Sequence, residues 1–219
     1  MLLLAIDAST YGGTVAVLRD VTVVAERDVA MRGEREERLM PAVADALSAA
    51  GAAVDDLEAV ACGGGPGSFT SLRIAASIAK GIAWARRIPL LVAPSPLLII
   101  AGADPPLPAG RYIAVLDAMR GDVFGLETRL EDNGRLTEVG HSWCASHDEA
   151  SRRASAGGAT LVGPAEALAL RPRARGFLGI CASGLALPVE VSTWEPEYGR
   201  KAEAQVRWEA AHGRALDGP

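Results

Sequence analysis

The sequence has few of the residues that cross-link a fold or bind a metal ion. Its three cysteines are an odd number, and a chain of 219 residues is long enough to build a core without disulfides. We therefore expect free thiols and a cytoplasmic protein in a reducing compartment. Its three histidines stand at positions 141, 147 and 212, so no two share the i,i+4 spacing of a helical metal site. We expect no metal ion and no other cofactor.

An excess of positive charge is also missing. The formal net charge is −5 at pH 7, and the isoelectric point calculated from the sequence is about 5.3. Because proteins that bind phosphate backbones cluster lysine and arginine, these values argue against a protein that binds nucleic acid by itself. A short basic run, Arg171, Arg173 and Arg175, lies in a proline-containing loop, and we interpret it as a solvated edge.

No apolar run in the sequence is long enough to cross a bilayer. The longest run covers residues 90–103, but Pro94 and Pro96 interrupt it and it is too short to span. Residues 1–6 are apolar, yet they lack a basic flank and Asp7 follows at once, so we expect no signal peptide. These patterns predict a soluble protein that does not bind a membrane.

The chain does contain a weak internal duplication. An apolar strand that ends in an aspartate, a polar turn and a second strand are predicted twice, about 110 residues apart. The first copy is residues 2–7 and 14–18, and the second is residues 112–117 and 123–128. The proline-rich segment between the copies is the best candidate for a linker. We predict a first subdomain over 1–103, a linker over 104–111, and a second subdomain over 112–219 with a C-terminal helix at 201–216.

A glycine-rich loop separates a predicted strand from a long predicted helix. It is nearly free of side chains, so its backbone can turn tightly or approach another surface closely. Its spacing matches neither the Walker phosphate loop nor the dinucleotide fingerprint, and the residues alone leave a structural turn and an anion site both open. Its last residue stands where a helix N-cap belongs. The loop consists of Gly63, Gly64, Gly65, Pro66, Gly67 and Ser68.

Two amphipathic helices are predicted in the first half of the chain, over residues 34–50 and 68–86. The second helix is apolar around more than half of its circumference. Such a helix either lies within the core or packs a second face on a partner. Its alanines recur at spacings of three and four, which allows another helix to approach closely.

The glycine loop and several other segments together resemble the bacterial TsaB (YeaZ) family, the dimerisation subunit of the tRNA threonylcarbamoyladenosine machinery. The loop and the start of its helix, residues 65–73, read Gly-Pro-Gly-Ser-Phe-Thr-Ser-Leu-Arg, as in the family signature. The other similar segments are residues 3–10, 37–41, 88–95, 117–121 and 196–200, the last with Gly199 where the family has leucine. The resemblance implies the actin, sugar-kinase and heat-shock-ATPase (ASKHA) fold, an α/β fold of mixed sheets flanked by helices.

The same resemblance implies a non-catalytic subunit that binds a TsaD-like transferase. That transferase modifies the tRNA adenosine beside the anticodon (position 37), a TsaE-like ATPase joins the assembly, and tRNA is met only through the complex. The two predicted helices then pair with those of the transferase. The residues expected at this partner-binding face are Leu39, Met40, Val43, Leu72, Ala75, Ala79 and Ile82.

Two other functions remain open on the sequence. ATP-dependent enzymes of the ASKHA fold use aspartates at both strand turns, where this chain has Asp7 and Asp117, and a glycine pair, which could be residues 157–158. A small kinase is therefore an alternative, although no phosphate-clamping lysine or arginine cluster accompanies the aspartates, which we interpret as turn residues at vestigial nucleotide-site positions. The other alternative is a homodimer whose paired helices are its own interface. Cys62 is expected to be a small buried residue rather than a nucleophile.

Overall fold

The computed structural model describes residues 1–31, 37–137 and 139–199, together with residues 208 and 211–213. In these residues the strands form two mixed sheets. The first sheet has the order β12 (Leu187–Val189), β5 (Leu90–Ala93), β4 (Ala59–Gly63), β1 (Leu2–Asp7), β2 (Gly12–Arg19), β3 (Thr22–Ala30). The second has the order β11 (Leu168–Ala169), β10 (Thr160–Gly163), β6 (Gly110–Asp117), β7 (Asp122–Leu130), β8 (Leu136–Thr137), and β9 (Trp143–Ser146) also pairs with β7.

The predicted duplication of a hairpin is confirmed. Strands β1 and β2 pair antiparallel, and β1 pairs on its other side with β4 in parallel. In the second sheet β6 pairs antiparallel with β7 and parallel with β10, which repeats the same arrangement. Both first strands end in the predicted aspartate, Asp7 or Asp117.

Five α-helices are present among the described residues: α1 (Leu39–Ala49), α2 (Phe69–Arg86), α3 (Leu97–Ala101), α4 (His147–Gly157) and α5 (Phe177–Ala182). Helix α1 begins after Glu37, whose carboxylate accepts hydrogen bonds from the backbone amides of Leu39 and Met40 and so caps the helix. The prediction placed its start at residue 34, but residues 32–36 lie outside the described part of the chain. The same holds for most of the helix predicted over 201–216.

The alternation of side chains along β1 explains how the layers are arranged. Every residue of this strand is buried, as expected for a central strand that is covered on both faces. Leu3 and Ala5 point into a core that the two sheets share, whereas Leu4 and Ile6 point into a second core beneath α1 and α2.

The two halves of the chain meet in the shared core, and the second half also contributes a strand to the first sheet. Helices α3 and α5 contribute their apolar side chains to the core between the sheets, and α4 covers the outer face of the second sheet. Strand β12 comes from the second half of the sequence but completes the first sheet by pairing with β5. The division into subdomains at residues 104–111 stays a prediction. No helix in the described ranges is both long and apolar enough to cross a membrane.

Candidate functional site

The glycine loop follows β4 and is held from one side by the chain itself. The amide of Gly65 donates to Ser95 Oγ at 3.0 Å, and the amide of Ser68 donates to the Ser9 carbonyl oxygen at 2.7 Å. Donors that are already paired in this way do not offer themselves to an anion. Of the two interpretations that the sequence left open, the geometry therefore favours the structural turn over the phosphate cradle.

Glycine is required in this loop because other backbone segments approach it closely. A Cβ atom at Gly67 would lie 2.1 Å from the carbonyl oxygen of Ser9, and one at Gly65 would lie 2.1 Å from that of Glu197. Gly65 also has a φ of +85°, in the region that side chains disfavour. The close approach predicted from the sequence is made to the chain's own segments.

Asp7 lies directly beneath the loop and is fully buried. One carboxylate oxygen accepts hydrogen bonds from the backbone amide and the hydroxyl of Ser9, at 3.0 and 2.8 Å. The other accepts a hydrogen bond from the hydroxyl of Ser95 at 2.7 Å. Burial raises the pKa of Asp7 above its ordinary value, and these hydrogen bonds oppose the rise. A Cβ atom at Gly63 would lie 1.9 Å from the carboxylate, so the loop also closes over it.

The other residues of the alternative nucleotide site have local structural roles. Asp117 is exposed, and its carboxylate accepts a hydrogen bond from the backbone amide of Met119 at 2.7 Å, as in an Asx turn. Gly157 ends helix α4, and Gly158 is its left-handed C-cap, so this glycine pair terminates a helix. Within the described residues, no group of three or more histidine, cysteine, aspartate or glutamate side chains could hold a metal ion.

Cys62 precedes the loop in β4 and is inaccessible. Its side chain is fully buried, and burial together with the nearby charge of Asp7 raises the pKa of the thiol far above its ordinary value. A thiol held in the neutral form is a poor nucleophile. This placement agrees with the packing role expected from the sequence.

The predicted partner-binding residues require a correction, because the chain's own core covers most of them. Helices α1 and α2 pack on the first sheet through the apolar side that the sequence assigned to a partner. Only Met40, at 43% exposure, reaches the solvent. The other six are buried against the chain itself: Leu39, Val43, Leu72, Ala75, Ala79 and Ile82.

The outer face of the two helices carries Met40 together with four residues that were not predicted from the sequence. On α2 three small residues recur every four positions and are exposed, namely Ser77, Gly81 and Ala85. Trp84 stands beside them with 67% of its surface exposed, and Met40 belongs to the neighbouring helix. The sequence did contain a signal for this face, namely small residues spaced four apart on a second side of α2. We call these five residues the outer helix face.

A second missed feature links the two halves. Arg173 makes two hydrogen bonds to the carboxylate of Glu26 on β3, at 3.0 and 2.9 Å. Arg171 pairs with Asp28 at 2.7 Å, and Arg175 pairs with Asp104 at 2.7 Å. The interpretation of these arginines as a solvated edge was wrong, since they form ion pairs with the first half of the chain.

Comparisons with known proteins agree with this fold. The model of the family described as TsaD, tRNA N6-adenosine threonylcarbamoyltransferase, matches residues 9–146, which is well over half of the chain. The TsaB protein of tRNA threonylcarbamoyladenosine biosynthesis from Escherichia coli K12 is 37% identical over 134 residues, which cover 61% of this chain and 58% of that protein. The chain is a TsaB (YeaZ) member of the TsaD family.

Further comparisons extend the TsaB relationship. The TsaB protein of Bacillus subtilis 168 is 36% identical over 124 residues, 57% of this chain and 53% of that protein. The matches thus span little more than half the length of these curated relatives. A solved structure from Pseudomonas aeruginosa, described as an uncharacterized protein with similarity to peptidase YeaZ, has a TM-score of 0.75 at 27% identity and covers 91% of this chain and 99% of its own. The predicted ASKHA-type fold is confirmed.

The structure also brings together two segments on which the TsaB resemblance depends. Phe69 and Arg73 belong to the signature at the start of α2, and Tyr198 belongs to the segment 196–200 near the other end of the sequence. The rings of Phe69 and Tyr198 are 4.6 Å apart, and Arg73 lies 4.1 Å from the centre of the Phe69 ring. These TsaB-like segments therefore form one structural unit around the glycine loop.

Proposed function

We propose that this chain is a non-catalytic subunit that binds a TsaD-like transferase and activates it for threonylcarbamoylation of tRNA adenosine. Its TsaB relatives are named for the biosynthesis of that modification, and one family model covers both the transferase and this chain. The helices α1 and α2 form the contact through the outer helix face, which shares only Met40 with the seven residues predicted from the sequence.

The observation that carries this proposal is the exposed tryptophan on a row of small side chains. Trp84 is 67% exposed, although its helix buries the opposite side in the core. Ser77, Gly81 and Ala85 leave room for a second helix to approach the backbone beside it. Tryptophans that fill a partner's pocket dominate many interfaces, and truncation of such a residue costs about 2 kcal/mol or more, roughly thirtyfold in Kd.

The arrangement around Asp7 supports a subunit without its own catalysis. The buried carboxylate uses both oxygens in hydrogen bonds to Ser9 and Ser95, so neither is directed at a solvent-facing metal ion. The alternative, a small ATP-dependent kinase, requires Asp7 and Asp117 to hold a magnesium nucleotide together. Micromolar binding of magnesium ATP that disappears in Asp7→Ala would favour that alternative.

The subunit acts through a coupling free energy between its own binding and the active conformation of the transferase. A protein without catalytic residues activates a partner when it binds the active conformation more tightly than the inactive one. A TsaE-like ATPase joins the same assembly, and tRNA meets this chain only through the complex. The negative net charge of the chain is compatible with this indirect contact.

The experiment that tests the proposal places a charge on the outer helix face. Nothing lies within 4 Å of the position that a Cβ atom at Gly81 would occupy, so Gly81→Glu leaves the isolated chain folded with its carboxylate in water. We expect binding to the TsaD-like partner to weaken by orders of magnitude, because an unpaired charge in an interface costs several kcal/mol. Threonylcarbamoylation in a reconstituted system should be lost with it.

The matched control is Gly157→Glu at the end of α4. This glycine is also helical and also has open space beside it, but it lies on the second sheet, away from the outer helix face. It should bind and activate as the wild type does. If Gly81→Glu retains full binding and modification, the interface assignment is wrong. The homodimer is the correct alternative if the wild type does not bind the transferase and sedimentation shows that Gly81→Glu dissociates a dimer of this chain.

A further inference from the structure

Residues 194–199 run without regular secondary structure across the outside of the glycine loop, and we call them the strap. The amide of Glu197 donates to the carbonyl oxygen of Gly64 at 2.8 Å. The carbonyl oxygen of Glu197 occupies the place where a side chain at Gly65 would begin. The loop is therefore enclosed between Ser9 and Ser95 on its inner side and the strap on its outer side.

The strap also contacts α2 at two positions along the helix. Near the start of the helix, the hydroxyl of Tyr198 accepts a hydrogen bond from Arg73 Nε at 3.2 Å, and its ring lies against Phe69. Further along, Lys80 Nζ donates to the carbonyl oxygen of Trp194 at 2.7 Å and pairs with Glu195 at 3.3 Å. The helix is thus tied, both at its start and past its middle, to a segment more than a hundred residues away in the sequence.

The far end of the strap reaches the second sheet. Gly199 has a φ of +68°, and a Cβ atom there would lie 2.4 Å from the Phe124 ring on β7 and 2.9 Å from Pro66 in the glycine loop. This position needs glycine both for its backbone conformation and for lack of space. The leucine of the family pattern would not fit at this position in this chain.

We propose that the strap positions the glycine loop and helix α2 from its start to Lys80, and thereby sets the surface that α2 offers to the transferase. The proposal rests on the proposed function for its last step. Helix α2 starts directly from the loop, and the loop has packing contacts on its inner and outer sides. Loss of the outer contacts leaves the loop and the first turns of the helix free to sample other positions, and a partner that needs one position then binds more weakly.

The first test uses the isolated chain and amide hydrogen exchange followed by NMR. Tyr198→Ala removes the ring from Phe69 and the acceptor from Arg73. We expect the amides of Gly65 and Ser68 to exchange about tenfold faster or more, with the central strands unchanged. Tyr198→Phe keeps the ring contact and should exchange nearly as the wild type does. Val21→Ala, at a residue that is 83% exposed in a distant turn, should change nothing.

The second test measures the Kd of each variant for the TsaD-like partner. Tyr198→Ala should bind about tenfold more weakly, within the usual range of coupling between sites, and Tyr198→Phe should bind nearly as tightly as the wild type. Lys80→Met releases the other end of the strap and must reproduce both effects, even if Tyr198→Ala fails to fold.

The outcomes separate this proposal from the proposed function. If the wild type does not bind the transferase, the proposed function is wrong, and the hydrogen-exchange experiment still tests whether the strap holds the loop. Unchanged exchange at Gly65 and Ser68 in both strap variants means that the strap does not hold the loop. Faster exchange with unchanged partner affinity means that the strap does not set the binding surface, and it overturns the proposal.

Discussion

At the scale of one residue, the buried carboxylate of Asp7 has a structural role. Its hydrogen bonds join the end of β1, the turn after it and Ser95 beyond β5. Desolvation disfavours the charged form more than these bonds favour it, so the pKa of Asp7 is raised in the folded protein. The folded state therefore binds a proton at this site more readily than the unfolded state does.

This pKa shift predicts a pH dependence of stability with a definite sign. The stabilisation that protonated Asp7 contributes is fully present below the unfolded pKa of about 3.8 and is lost as the pH rises through the raised folded pKa. Asp7→Asn carries no such titration. The free energy of unfolding of Asp7→Asn minus that of the wild type should therefore rise with pH across this window and then level off. Urea denaturation of both proteins over a pH series measures the difference.

The comparison with the wild type removes the contribution of all other carboxylates, which titrate alike in both proteins. A second variant, Asp7→Ala, should be less stable than Asp7→Asn at every pH, because it leaves the Ser9 and Ser95 groups without their acceptor. A difference between Asp7→Asn and the wild type that falls with rising pH would show that the pKa of Asp7 is lowered in the folded protein.

At the scale of one element, the glycine loop requires glycine because other backbone segments approach it closely. We predict that Gly67→Ala destabilises the fold by about 1–3 kcal/mol, because its Cβ atom would lie 2.1 Å from the Ser9 carbonyl oxygen and the backbone must shift. Gly81→Ala, in the open part of α2, should stabilise it by about 0.5–1 kcal/mol through helix propensity. Chemical denaturation of the two variants measures both effects.

The opposite signs make this pair informative, since both variants add the same single carbon atom. Gly67→Ala with wild-type stability would mean that the loop relaxes freely and is not the tight turn described. A destabilised Gly81→Ala would show that the outer helix face is occupied by part of the chain, and it would remove the basis for a partner there.

Many of the strands and helices were predictable from the sequence, but the surfaces that they pack against were not. Strands β1 and β6 are continuous apolar runs that end in aspartate, and the start of α2 follows from the glycine loop, so local patterns suffice for them. Helix α2 has small residues on both its inner and outer sides. Its pattern alone cannot say which side the sheet covers, so Ala75 and Ala79 resemble partner-binding residues in the sequence although the core covers them.

The strap could not be predicted because it has no periodicity of its own. Its position depends on Tyr198, Glu197 and Gly199 fitting surfaces that come from three distant parts of the chain. The resemblance of residues 196–200 to the TsaB pattern marked the segment as notable without indicating its contacts. Long-range contacts of this kind become visible only when the sheets and helices are in place.

At the scale of the whole molecule, two sheets that repeat one plan are joined by more than their shared core. The paired arginines bring the segment before α5 onto the edge of the first sheet, and the amide of Ala174 donates to Thr14 Oγ1 on β2 at 2.8 Å. Strand β12 and the strap return to the first half from the other side. The two halves are therefore tied together at both sides of the shared core.

The ion pair between Glu26 and Arg173 should be the energetically important one of this junction. It is bidentate, and its side chains are only 17% and 27% exposed, so solvent screens it weakly. A double-mutant cycle with Glu26→Ala and Arg173→Ala should give a coupling free energy of about 1–2 kcal/mol in urea denaturation. The control pair is Glu149 and Arg152 on α4, which is also well aligned but far more exposed.

For the control pair we expect a coupling free energy below about 0.5 kcal/mol, as is usual for neighbouring charges on an exposed helix. The two cycles should also differ in salt. Raising the ionic strength should reduce the small coupling on α4 proportionally more than the coupling at the junction, because screening acts through solvent. Equal couplings in the two cycles would mean that the arginine run is energetically a solvated edge after all, and that the shared core alone joins the halves.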